Sequence, residues 1–202
     1  EAGFRRIPGT PMLERGGQIV DLHSTPGEEA RLPSIARAYL QTTQSMFATA
    51  VPCGGGPSGA LMPGREALVL NRALHWFKHF CQPLVHALEL AVMLKQGVDA
   101  GLLRREVDDA RAGRVFACVL RVLENTGLGQ CVTGSLGDGF LNENEREFVK
   151  QPRHARMLEE LARLQPGKAV YQLNMAMMTP LARAAYALQL AWPPRATLLW
   201  AY

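Results

Sequence analysis

Three histidines are spaced as metal ligands often are: His75, His79 and His86 lie at intervals of four and seven residues. On one unbroken helix they would share a stripe, and two imidazoles four residues apart can grip a cation such as zinc. Pro83 argues against this, because it divides the helix between His79 and His86. No glutamate follows the first histidine, so the HExxH arrangement of metalloproteases is absent. The expectation is packed or surface histidines. No metal or cofactor is assigned, and metal binding by His75 and His79 stays an open question.

Other chemistries fare no better. Ser58 in Gly-Pro-Ser-Gly-Ala and Ser135 in Thr-Gly-Ser-Leu-Gly both miss the GxSxG elbow, and no strand leads into either. The loop Pro52–Gly59 is glycine-rich but lacks the Gly-Lys-Ser/Thr that meets phosphate and magnesium in a P-loop. Asp138 to Glu145 resembles the back half of a calcium loop, yet Gly134 and Leu136 stand where the first carboxylates belong. Cys53, Cys81, Cys118 and Cys131 show no CxxC pair. No catalytic residue is assigned, and the reading leans away from an enzyme.

Arginine offers a different chemistry. The chain carries 22 Lys and Arg against 18 Asp and Glu, and its only lysines are Lys78, Lys95, Lys150 and Lys168. Arginine's planar fork suits phosphate and carboxylate. Leu90–Gln96, then Gly97-Val98, then Asp99–Val107 read as two helices joined by a tight glycine turn. A helix–turn–helix of that kind would place Arg104 and Arg105 on its second helix, with Arg111 and Arg114 beyond. Glu106, Asp108 and Asp109 on the same helix repel phosphate, which favours a plain helical hairpin. Arg153 and Arg156, flanking His154, form a second basic stretch. These six arginines are the candidate nucleic-acid contacts. Phe4, Met12, Trp192, Trp200 and Tyr202 are bulky residues in proline-broken ends, and are the candidate contacts with a partner or a second copy.

The elements that must position these groups follow from periodicity. Residues 1–33 are dense in proline and glycine and read as an irregular arm, with one short strand at Gln18–Leu22. Residues 34–191 form the helical domain, interrupted by a flexible loop at 52–64 and a glycine-rich loop at 127–141. A first helix starting at Ser34 offers Ile35, Tyr39, Met46, Phe47 and Ala50 as one broad face. In the second, Arg65 to Cys81, Leu70, Leu74, Phe77 and Cys81 make a clear amphipathic stripe. The third, from Pro83 to about Gln96, is apolar nearly all round and reads as the central buried helix. Helices at 99–112 and 114–124 follow, then one capped by Asn142 with Glu145 at its third position, broken at Pro152. Two C-terminal helices begin at Ala169 and, after Thr179-Pro180, at Leu181. Residues 192–202 are a short apolar tail.

The fold class is therefore all-α: a single bundle of about seven to eight helices. With 202 residues, 48% hydrophobic and 20% charged, the chain can bury a large core and is not disordered. The longest apolar run, near Leu88–Leu94, is interrupted by Glu89 and is too short for a bilayer. Free buried thiols at Cys81 and Cys118 would suit an intracellular, reducing compartment, cytoplasm or nucleus. The leading expectation is a non-catalytic interaction module that binds a protein partner or itself. A nucleic-acid-binding protein, viral or regulatory, is the first alternative, and a helical enzyme with a histidine-lined site is the second.

Overall fold

Helix α2 (Arg65–Lys78) buries the stripe read from its sequence: Leu70, Leu74 and Phe77 are wholly inaccessible, as is Cys81 just beyond its end. In the computed structural model the described residues are 5–6, 12–16, 18–21, 33–54, 59–79, 81, 84–137, 139–163, 169–181 and 183–184. Among them are nine α-helices and two small antiparallel sheets, so the all-α reading holds.

The N-terminal segment holds more order than its composition suggested. β1 (Arg5–Arg6), β2 (Met12–Arg15) and β3 (Gln18–Asp21) form an antiparallel meander, with Arg5 opposite Glu14 and Met12 opposite Asp21. Gly16, at φ 56°, supplies the left-handed turn between β2 and β3. The expected strand near Gln18 is present; it pairs with β2, which pairs in turn with β1, and the proline and glycine spacing concealed both. A second pair, β4 (Val51–Pro52) with β5 (Leu61–Met62), closes the base of the loop expected at 52–64.

Helix α1 (Pro33–Ala48) packs on α2 and buries Ile35 and Tyr39 of the expected face, together with Ala38, Thr42 and Thr43, while the C-terminal part of that face is not buried. Phe47 is 74% exposed. The threonines can be buried because their hydroxyls donate to the Ala38 and Tyr39 carbonyls one turn back, at 2.7 and 2.8 Å. α2 ends at Lys78, short of the expected Cys81. Cys81 takes φ 56° and its N–H donates to the Trp76 carbonyl at 2.9 Å, ending the turn in a left-handed cap.

The central helix is not the third, as expected, but α5 (Gly113–Leu123). Eight of its eleven residues are buried, and it packs on α2, α4 (Ala100–Asp109), α6 (Gly129–Leu136), α7 (Glu143–Lys150) and α8 (Pro152–Ala162). α3 (Leu84–Lys95) buries only Ala87, Leu90, Ala91 and Leu94, while Leu84, Val85, Leu88 and Val92 face solvent. α6 occupies part of the stretch expected as a glycine-rich loop. It packs on α3, so tertiary contact overrides the weak helix propensity of Gly129, Thr133 and Gly134. A wide π-type turn, Glu124–Leu128, joins α5 to α6, with Gly127 at φ 84°. α9 (Ala169–Met177) packs on α8, and a further helical turn starts at Pro180. No helix among the described residues is long and apolar enough to cross a membrane.

Candidate functional sites

The histidines come together more closely than Pro83 implied. His79 follows His75 by one helical turn, 4.5 Å between ring centroids, and the fold-back of α3 on α2 sets His86 5.2 Å from His75, edge-on. His86 Nδ1 lies 3.0 Å from a Glu89 carboxylate oxygen, and Arg72 reaches the same oxygen at 3.4 Å. Burial, then the neighbouring His79 and His86, push the His75 pKa down from 6.5 to about 4. The hydrogen bond from His86 is the main reason that Glu89 is held below the usual glutamate value. His75 is therefore neutral at pH 7. Among the described residues no three His, Cys, Asp or Glu side chains are arranged to hold a metal ion.

The hairpin read as a possible helix–turn–helix is tied into the fold at its turn. Arg65 donates to the Gln96 and Gly97 carbonyls at 2.9 and 2.8 Å, which satisfies the end of α3. Asp99 caps α4 by accepting from the Leu102 N–H at 2.8 Å, and its own N–H donates to Glu66. Arg104 turns inward. It donates to both oxygens of Glu145, at 2.7 and 2.9 Å, and pairs with Asp108 one turn along. Glu145 is buried and also closes the capping box of α7 with Asn142, as the sequence predicts. Arg105 is exposed on α4.

The remaining arginines fall into two groups. Arg111 and Arg114 line a cleft of about 390 Å³ with Asp108, Asn142, Asn144 and Glu145. Arg114 also lines a larger cavity of about 800 Å³, together with Arg153, His154, Gln151, Gln172 and Arg183. Arg156, exposed on α8, borders neither. The structure thus unites Arg114 and Arg153 from the two basic stretches and adds Arg183, which sequence reading missed. Its signal was only an arginine four residues after the Thr179-Pro180 helix start.

Of the aromatic and methionine candidates at the ends, Phe4, Trp192, Trp200 and Tyr202 lie outside the described residues, and Met12 is placed only by its backbone in β2. Ser135 lies on α6 with no strand leading into it. Cys53, Cys81 and Cys118 are free thiols; burial pushes the last two far above the usual thiol range, which leaves them unreactive. No protein-family model, curated protein or solved structure matches the chain.

Proposed function

We propose that this chain is a non-catalytic helical interaction module that associates with a second copy of itself through α3. The observation that supports this reading is the solvent face of α3. Leu84, Val85, Leu88 and Val92 are between 41% and 52% exposed, on a helix with few charged residues. Large aliphatic side chains grouped on one exposed helical face mark an interaction surface.

A second copy suits this face for a geometric reason. Leu84, Leu88 and Val92 are spaced evenly by four, so a two-fold axis at Leu88 sets Leu84 against Val92 of the other copy. At these three positions the match is aliphatic. The four side chains offer on the order of 300 Å² per copy, against about 800 Å² in a standard stable interface. The association is therefore weak, in the micromolar range or above. The free thiols support a reducing intracellular compartment.

Sedimentation velocity from about 10 µM to 1 mM tests the reading. A concentration-dependent shift from monomer to dimer is expected, and Leu88→Asp abolishes it by facing two carboxylates across the axis. A chain that stays monomeric throughout, or an L88D variant that dimerises like the parent, defeats the proposal.

A further inference from the structure

The cavity bounded by α5, α7, α8 and α9 gathers Arg114, Arg153 and Arg183, and no carboxylate is among the described residues that line it. Some other arginines, by contrast, are neutralised locally: Arg104 by Glu145 and Asp108, Arg121 by Glu124, Arg5 by Glu14. Arg114 lies over the Phe148 ring, 5.2 Å from its centroid, and Arg183 spends one N–H on the Met178 carbonyl at 3.1 Å. Their remaining guanidinium donors have no carboxylate partner among the described residues.

The lining adds to this charge. Gln151 and Arg153 stand at the start of α8, whose first turn no side chain caps. A helix start brings further positive potential. His154 is buried and its Nδ1 donates to the Phe148 carbonyl at 2.8 Å, which assigns the proton to Nδ1. Gln151 and Gln172 offer neutral amides, and Phe148, Met175 and Ala176 supply an apolar wall.

We infer that this cavity is a binding site for a phosphate-bearing ligand. Three guanidiniums outmatch a single carboxylate, whereas a phosphomonoester carries about two negative charges and three acceptor oxygens at neutral pH. A cavity of about 800 Å³ takes a whole small molecule, and the apolar wall gives its organic body a place to rest. The same chemistry could be presented by a free organic phosphate or by the backbone of a single-stranded nucleic acid. This inference is independent of self-association, since α3 contributes nothing to the cavity.

Titration calorimetry at about 50 mM salt, with phenyl phosphate and with a short single-stranded oligonucleotide, tests it. At least one probe binds, and Arg153→Ala and Arg183→Ala each weaken that binding about tenfold or more. Arg121→Ala, which removes a charge outside the cavity, leaves it unchanged. If phenyl phosphate is the probe that binds, the source is a small organic phosphate. If the oligonucleotide is, with affinity falling steeply by about 200 mM salt, the source is a nucleic-acid strand. Both arginines are exposed, and unchanged thermal melts of the variants separate lost binding from lost folding. Neither probe binding at about 1 mM, or binding indifferent to both substitutions, overturns the inference.

Discussion

His75 sits half-buried between His79 and His86, and this placement dictates how the molecule answers acid. Burial, reinforced by His79, His86, Arg72 and Lys78, lowers its pKa from 6.5 to about 4. Below pH 6.5 the unfolded chain takes up a proton that the folded chain still refuses. The stability His75 protects is complete above pH 6.5, drains away as pH falls toward 4, and changes little further below that. Glu89 adds its own acid loss only lower, because its depressed pKa protects the fold until the carboxylate protonates. Melting temperature is expected to fall between pH 6.5 and 4, and His75→Gln to remove most of that slope. An unaltered slope in the variant would place the acid sensitivity elsewhere. The spacing of the histidines was legible in sequence; their convergence was not, because it depends on α3 doubling back after Pro83. Arg104 teaches the same lesson. Its charge is plain in sequence, but its partner Glu145 lies 41 residues away and is brought to it only because α4 and α7 both pack on α5.

Helix ends set by local chemistry were readable, and helices set by neighbours were not. The Asn142–Glu145 capping box and the Gly97 stop, at φ 89°, depend on a few adjacent residues and appear where expected. α6 was read as loop because its glycines and threonine disfavour helix, and only packing on α3 makes it one. Two glycines on these helices respond oppositely to a methyl group. In a helix interior, Gly→Ala ordinarily gains about 1 kcal/mol. At Gly134 of α6 nothing lies within 4 Å of the added carbon, so Gly134→Ala gains up to about 1 kcal/mol. At Gly113, the start of α5, the added carbon overlaps the Glu145 carboxylate, whose Cδ lies 2.8 Å from that point. Glu145 would be driven off Arg104, and losing a hydrogen bond to a charged group costs about 1.5–3 kcal/mol. That loss exceeds the propensity gain, so Gly113→Ala is expected to destabilise by about 1–2 kcal/mol. Urea unfolding of the two variants decides the matter, and a stabilised Gly113→Ala would mean that Glu145 relocates at no cost.

At the scale of the whole molecule, the reversal of α3 and α5 carries the most functional weight. By hydrophobicity α3 looks like the centre of the bundle, but α5 takes that place because contact with five other helices buries nearly all its side chains. α3 is left with one face in the core and one equally apolar face outside. Periodicity cannot distinguish these, since both faces carry leucine and valine; only the position of the other helices separates them. Paired substitutions two residues apart make the difference measurable. Leu90 is wholly buried, so Leu90→Ser removes a packed side chain and strands a hydroxyl in the core, at a cost of about 3–5 kcal/mol. Leu88 is 48% exposed in the monomer, so Leu88→Ser changes monomer stability by about 0.5 kcal/mol or less. At dilute concentration, urea unfolding should therefore find Leu88→Ser close to the parent and Leu90→Ser far below it. At high concentration the parent should gain stability by mass action on the dimer, and Leu88→Ser should not. Equal losses at the two positions in dilute solution would mean that the outer face of α3 is covered within a single copy, and the self-association reading would fail with it.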